Sequence, residues 1–320
     1  MLVLRALGLG DGLAGVAALR GLRRMAPASW LVLAAPAGIG GFLRRRGVVD
    51  EVLDTADLDA LTPALWASRG GTTLEVTPPD VAVDLHGRGP ASHRLLQALH
   101  PGRLIAWHCP AAGYLDGPEH RLDEQEVDRW CRLVTAAGGP CSPADLLVDP
   151  TDLRPPVVTG RYAVLHPGAA SGCRRWPAQR FAEVGVALAA DGWHVVVTGS
   201  GGERALTRSV TPAGGTDLAG TLDLDTLASV VAHAGLVVCG DTGVAHLATA
   251  YGTPSVVLFG PTPPRWWGPA VDAGLHRVLW HGQEIAGEDL YRGDPHAPAV
   301  DPALALVTTA EVVAAARDLG

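Results

Sequence analysis

The stretch Val237–Pro269, VVCGDTGVAHLATAYGTPSVVLFGPTPPRWWGP, decides how this chain is read. Leu236–Cys239 is a short, unbroken apolar run, the pattern of a parallel strand covered on both faces. Gly240-Asp241-Thr242-Gly243 is a turn with helix-start chemistry, because Asp241 or Thr242 can cap the free N–H groups of a following helix. Val244–Tyr251 reads as that helix, Gly252-Thr253-Pro254 ends it, and Ser255–Phe259 is the next strand. A glycine-containing turn at a helix N-terminus, at the carboxyl end of a parallel strand, suits an anion. The same features also fit an ordinary βαβ turn that holds no ligand.

The pattern repeats outward. Towards the N-terminus of this half, Tyr162–His166 reads as a strand, followed by the turn Pro167-Gly168-Ala169-Ala170-Ser171. Arg174-Arg175-Trp176-Pro177 then leads into a helix over Ala178–Ala190. Trp193–Thr198 is a strand whose turn, Gly199-Ser200-Gly201-Gly202-Glu203, opens another helix. Thr216–Ala219 precedes a helix over Leu222–Ala234. After the central stretch, Leu275–Trp280 is a further strand and Thr309–Leu319 a last helix. In the N-terminal half, strands are expected at Met1–Leu7, Trp30–Ala34, Val48–Leu53, Val81–Leu85 and Leu104–Trp107. Helices are expected at Leu13–Met25, Leu58–Ala67 and Asp123–Ala137. Short apolar strands alternating with helices imply parallel sheets covered on both faces. The proline-rich Asp149–Gly160 reads as a stiff linker. It divides the chain into an N-terminal domain over 1–155 and a C-terminal domain over 156–308, followed by the helix of 309–320.

Composition narrows the function classes. At 320 residues and 48% apolar content the chain is globular and long enough for two cores. Its charge is −8 and all its basic residues are Arg, so neither half has the profile of a nucleic-acid binder. Arg20, Arg23, Arg24, Arg44, Arg45 and Arg46 cluster in sequence, either as a solvated surface or as a patch for an anionic acceptor or a membrane surface. Five Cys without a CxxC pair point to reduced thiols and a cytoplasmic protein. Twelve His without a tight ligand spacing give no sign of a metal centre. Arg5 and Gly10-Asp11-Gly12 interrupt the apolar N-terminus, so it reads as neither an export signal nor a membrane span.

Several motifs together resemble the heptosyltransferases, family 9 of the glycosyltransferases. They are Asp-Thr-Gly-x-x-His-x-Ala at 241–248, Pro254, Leu-Phe-Gly-Pro-Thr-x-Pro at 258–264 and Trp-Gly-Pro at 267–269. Leu9-Gly10-Asp11 enters a small-residue helix as it does in that family. Asp84-Leu85-His86-Gly87 is similar to its Asp-Leu-Gln-Gly, with His86 where Gln is usual. Pro167-Gly168-Ala169 followed by Arg174-Arg175-Trp176-Pro177 is similar to its Pro-Gly-Ala-Ser and Lys-x-Trp-Pro, with Arg174 in the Lys position. Gly220-Thr221 lacks a Lys that the family carries.

The resemblance implies an α/β protein of the GT-B type, two Rossmann-like doubly wound domains facing a cleft with the helix of 309–320 returning to the first domain, acting as an inverting glycosyltransferase. It implies a nucleotide-diphosphate sugar donor, with ADP-heptose the one most associated with the family, and a saccharide or natural-product acceptor. No cofactor, no metal and no nucleic acid are expected, and the chain is expected to work as a monomer. Asp11 would be the general base, and Arg174 would stabilise the leaving diphosphate. Gly199, Ser200, Glu203, Asp241, Thr242, Gly243, His246, Pro261 and Thr262 would bind the donor. Glu203 would take the ribose hydroxyls or, equally, serve as a first-turn helix acid. Gly10, Gly12, His86, Arg88 and His93 would face the acceptor, although Asp84 and His86 also fit a purely turn-shaping role. Two rival classes keep the same donor motifs: an epimerase or hydrolase, and a noncatalytic nucleotide-sugar-binding module.

Overall fold

The computed structural model describes residues 1–68, 77–283 and 294–320. The chain folds as two units, 1–146 and 147–320.

In the first unit, β1 (Leu2–Leu4), β2 (Val32–Ala35), β3 (Glu51–Asp54), β4 (Val81–Asp84) and β5 (Arg103–Ile105) form a sheet in the order β3-β2-β1-β4-β5. All its pairings are parallel, with Leu2 opposite both Val32 and Ala82. Leu2, Leu4, Val32, Ala34 and Ala82 are all buried, as unbroken apolar runs require when helices cover both faces. The helices are α1 (Leu9–Ala14), α2 (Val16–Met25), α3 (Ala37–Arg45), α4 (Pro63–Ala67), α5 (Ala91–Gln97) and α6 (Glu126–Ala136). The helix expected from Leu13 starts earlier, at Leu9, and breaks at Gly15. Leu9–Gly12 is therefore helical rather than a loop, with Gly8 as its extended N-cap residue.

The second unit contains β6 (Tyr162–His166), α7 (Ala178–Ala190), β7 (His194–Val197), α8 (Arg204–Val210), β8 (Thr216–Asp217) and α9 (Leu224–Ala232). It continues with β9 (Leu236–Gly240), α10 (Gly243–Ala250), β10 (Ser255–Leu258), α11 (Pro264–Trp267), β11 (His276–Leu279), α12 (Pro302–Leu306) and α13 (Thr309–Leu319). Its sheet is also parallel, in the order β11-β10-β9-β6-β7-β8. Counted from β6, this is the doubly wound order 3-2-1-4-5-6. Each sheet thus reverses direction once, between β1 and β4 in the first and between β6 and β9 in the second. Doubly wound sheets bind ligands at such reversals, outside the carboxyl ends of the strands.

Two expectations on domain limits are corrected. The division falls at 146/147, before the prolines of 150–156 rather than between Pro155 and Pro156. The last helix, expected on the first domain, belongs to the second unit. Val312 and Ala316 of α13 are buried in that unit's core with Val256 and Leu258. Thr309 donates to Glu183 of α7 at 2.7 Å, and Arg317 reaches Asp191 at 2.7 Å. A capping box between Thr308 and Glu311 starts the helix.

Candidate functional site

The second sheet's reversal gathers the residues that the central stretch singled out. Arg174 ends a 3-10 turn, Gly172–Arg174, in the loop after β6. Asp241 and Thr242 follow β9 directly. Arg174 Nη1 lies 3.8 Å from Asp241 Oδ2, a loose pair, and Asp241 is only 6% exposed. Gly240 allows the two loops to meet, since a Cβ there would stand 2.9 Å from the Arg174 carbonyl oxygen. Thr242 is the N-cap residue of α10, yet its side chain makes no capping bond. Its Oγ1 and Arg174 Nε are both buried without a hydrogen-bond partner. The neighbouring Cys239 thiol, pushed up to about 12 chiefly by burial, is a weak partner for that hydroxyl. Buried donors left unpaired cost free energy. Placed at the start of an eight-residue helix, they suit an incoming anion.

Around this centre the other donor-side residues separate. Glu203 Oε2 accepts from both the N–H and the hydroxyl of Ser200, each at 2.8 Å, so the first-turn acid reading holds for that oxygen. Its Oε1 lies against Gly168, where a Cβ could not fit. Burial pushes the Glu203 pKa up, but the Ser200 bonds and the charges of His166 and Arg175 outweigh it, and the net shift is downward. Gly199 packs against Thr207. His246 of α10 meets the Trp267 ring edge-on at 5.9 Å. Pro261 and Thr262 are buried beyond β10. Arg175 Nε donates to the Ala169 carbonyl at 2.8 Å and so braces its own loop, leaving Arg174 as the cation next to Asp241.

At the first sheet's reversal, Asp11 lies in the first turn of α1, where the helix dipole favours a carboxylate. His86 stands on the adjacent loop after β4. Its Nδ1 is buried without a partner. Burial lowers its pKa most, Asp84 and Asp11 raise it and Arg5 lowers it further, so the net is a depressed value and a neutral ring. Arg88 is exposed and Gly10 half-buried. Gly12 is corrected from an acceptor contact to a packing position: it is buried, and a Cβ there would collide with Ile39 of α3. His93 is corrected likewise. It is fully buried, its Nε2 lies 2.9 Å from the Trp107 carbonyl and its Nδ1 lies 2.8 Å from Asp84 Oδ2. A carbonyl and a carboxylate both call for a proton on the facing ring nitrogen. Burial opposes the charge, but the Asp84 bond and charge prevail and the His93 pKa is raised. Asp84 Oδ1 in turn accepts from the His86 N–H at 2.9 Å, so the turn-shaping role of Asp84 is realised.

The motifs did not reveal three groups. Arg5, 1% exposed, lies beneath the Asp11 turn. The Asp84–His93 pair holds the His86 loop. His166, last in β6, is 2.9 Å from Thr198 Oγ1 and is driven by burial to about 4. The only signal in the sequence was a charged or imidazole group at the end of an apolar strand. Of the clustered arginines, those of α2 are engaged locally: Arg23 pairs with Asp50 at 2.5 Å and Arg24 with Asp145, and Arg20 donates to the Asp145 backbone carbonyl at 2.6 Å. Among the described residues no group of three or more His, Cys, Asp or Glu is placed to hold a metal ion, and no helix is long and apolar enough to cross a membrane.

Comparison with known proteins bears on this geometry. The model of glycosyltransferase family 9 (heptosyltransferase) matches residues 121–288. Lipooligosaccharide heptosyltransferase 2 of Haemophilus influenzae is 29% identical over 127 residues, 37% of this chain and 37% of that protein. The match therefore spans little more than a third of that curated relative. The crystal structure of a family 9 glycosyl transferase from Veillonella parvula superposes with a TM-score of 0.78 at 18% identity, covering 99% of this chain and 96% of that one. The structure of Escherichia coli ADP-heptose lipopolysaccharide heptosyltransferase II gives 0.71 at 21% identity, covering 99% and 97%. At those identities the likeness is one of fold: two parallel-sheet α/β units of the GT-B type.

Proposed function

The chain belongs to glycosyltransferase family 9, and from that premise we propose that it transfers a sugar, with inversion, from a nucleotide-diphosphate donor to a hydroxyl of a saccharide or natural-product acceptor. The observation that carries the reading is the pair of buried donors at the reversal of the second sheet, Arg174 Nε without a partner and Thr242 Oγ1 with only the weak Cys239 thiol beside it. In this reading Asp11 takes the proton of the acceptor hydroxyl, and that oxygen attacks the anomeric carbon in line. The bond to the diphosphate breaks, and Arg174, the Thr242 hydroxyl and the N–H groups opening α10 receive its growing charge. Asp241, an anion itself, serves the loop or the donor's hydroxyls rather than its phosphates. Glu203 Oε1 is left to the ribose. With a fixed cation and a helix start supplying positive potential, the step is proposed to need no divalent ion. ADP-heptose is the first donor to test, since the structurally similar Escherichia coli protein carries that donor in its name. Action as a cytoplasmic monomer belongs to the same reading.

The test supplies ADP-heptose with two acceptor panels, lipopolysaccharide-core saccharides and hydroxylated natural products, with and without EDTA. Product mass, anomeric configuration and ADP release are followed. EDTA-insensitive formation of an inverted glycoside supports the reading. Release of ADP with free sugar as the sole product, whatever the acceptor, points to a hydrolase instead.

A further inference from the structure

Arg5 follows β1 directly and is buried where an apolar residue would pack at less cost. Its three nitrogens are all used. Nε donates to the backbone carbonyl of Asp11, Nη1 to that of Leu85, and Nη2 lies 3.3 Å from Glu126 Oε1 on α6. The Trp130 ring lies 5.0 Å from the guanidinium carbon. Glu126 is itself fixed by Arg129 and by the Trp130 indole N–H at 2.6 Å. The fold makes room for this side chain: a Cβ at Gly15, where α1 breaks into α2, would stand 2.8 Å from Arg5 Cδ.

Two of these bonds have a direction that burial alone does not explain. They end on the carbonyl of Asp11 and on that of Leu85, the residue preceding His86. A guanidinium presents its N–H groups in a rigid planar fork, so the separation and direction of the two carbonyls are set together. We propose that Arg5 is a positioning residue that locks the turn bearing Asp11 to the loop bearing His86, and so fixes the base against the acceptor hydroxyl. This rests on Asp11 being the base of the transfer described above. A lysine ammonium keeps the charge but cannot reproduce the fork.

The groups facing His86 are Asp84 at the end of β4, Asp11 on α1 and Arg5 beyond β1. The experiment uses the full chain with Arg5→Lys and Arg5→Gln. It reads the His86 imidazole titration by NMR (assigned with His86→Gln), melting temperature, ADP affinity, and kcat and KM with ADP-heptose. In Arg5→Gln the His86 midpoint rises, and in Arg5→Lys it stays near the wild-type value. In both, kcat falls on the order of 100-fold, the scale of a small misplacement of reacting groups, while ADP affinity stays within twofold. A kcat within threefold of wild type in folded Arg5→Lys overturns the proposal. So does a parallel loss of kcat, ADP affinity and melting temperature, which marks a merely structural arginine. If the wild type turns over no nucleotide sugar, the transferase reading fails on its own. The titration then decides Arg5: an unmoved His86 midpoint in folded Arg5→Gln overturns the clamp. Should Arg5→Gln not fold, folded Arg5→Lys decides through the backbone amide shifts of Asp11 and His86: shifts unchanged from wild type despite the lost fork mean that Arg5 does not hold the two turns together and overturn the clamp.

Discussion

At the reversal of the first sheet, Arg5 uses every nitrogen on protein acceptors and Asp84 pairs with His93 out of contact with water, while His86 Nδ1 is left without a partner. At the same place in the second sheet, Arg174 Nε has no hydrogen-bond partner, Thr242 Oγ1 has only the weak Cys239 thiol, and Arg174 stands only loosely by Asp241. The topology is shared, but the polar groups are spent differently. In the first unit charges are used to hold backbone shape, so damage there should appear as lost geometry or stability. In the second, donors are held open, so damage should appear as lost ligand affinity with the fold intact.

The sharpest way to break this contrast is Asp11→Ala. Transfer should fall on the order of 10²–10⁴-fold, the usual worth of a positioned base, with ADP affinity unchanged; steady-state kinetics beside calorimetry would check both. Equal loss of both would make Asp11 structural. Next is His93→Leu, which leaves the Asp84 carboxylate buried without its counter-charge. Removing one partner of a buried pair costs about 3–5 kcal/mol, to be read from urea unfolding. The matching change in the second unit, Arg174→Ala, should leave unfolding nearly unaltered. It should weaken ADP binding by about 10–100-fold, as expected for charge-assisted bonds of about 1.5–3 kcal/mol. Thr242→Val should give a smaller loss, about 2–10-fold for a neutral hydrogen bond.

The smallest effect sharpens the comparison through pH. The His93 pKa is raised in the folded state, so its stabilisation is complete below the ordinary imidazole value and is lost as pH rises through the raised one. His166 is depressed to about 4. Its neutral form is the folded one, and stability falls as pH drops from about 6.5 towards that value. Amide exchange at His86 and Gly87, corrected for intrinsic base catalysis, should therefore quicken on the alkaline side. The amides at β6 and Thr198 should quicken on the acid side. One shared pH dependence in both places would contradict the assignment.

Much of the fold was legible because the strands are short apolar runs punctuated by Gly and Pro. β6, α7 and α13 fall where periodicity placed them, and the central stretch folds as strand, turn, helix and strand. The domain limits were not legible. Pro150, Pro155 and Pro156 dominate composition, but the division lies before them, and nothing local shows that Val312 and Ala316 pack on the second sheet. α1 was missed because Gly-Asp-Gly is poor helix sequence, and close packing of Gly12 on Ile39 overrides propensity. That Arg174 comes near Asp241 was suggested only by the family resemblance of the two loops. Arg5 and His93 were not, because their partners are backbone carbonyls and a carboxylate that only the folded chain brings near, and sequence carries no pattern for those.

The central claim is that the second unit holds an open site for a nucleotide diphosphate. It is tested most directly by calorimetric titration of ADP, in EDTA, into the wild-type chain and Arg174→Ala. The account predicts binding by the wild type and a loss of about 10–100-fold in the variant. No binding by the wild type, or equal binding by a folded Arg174→Ala, would contradict it.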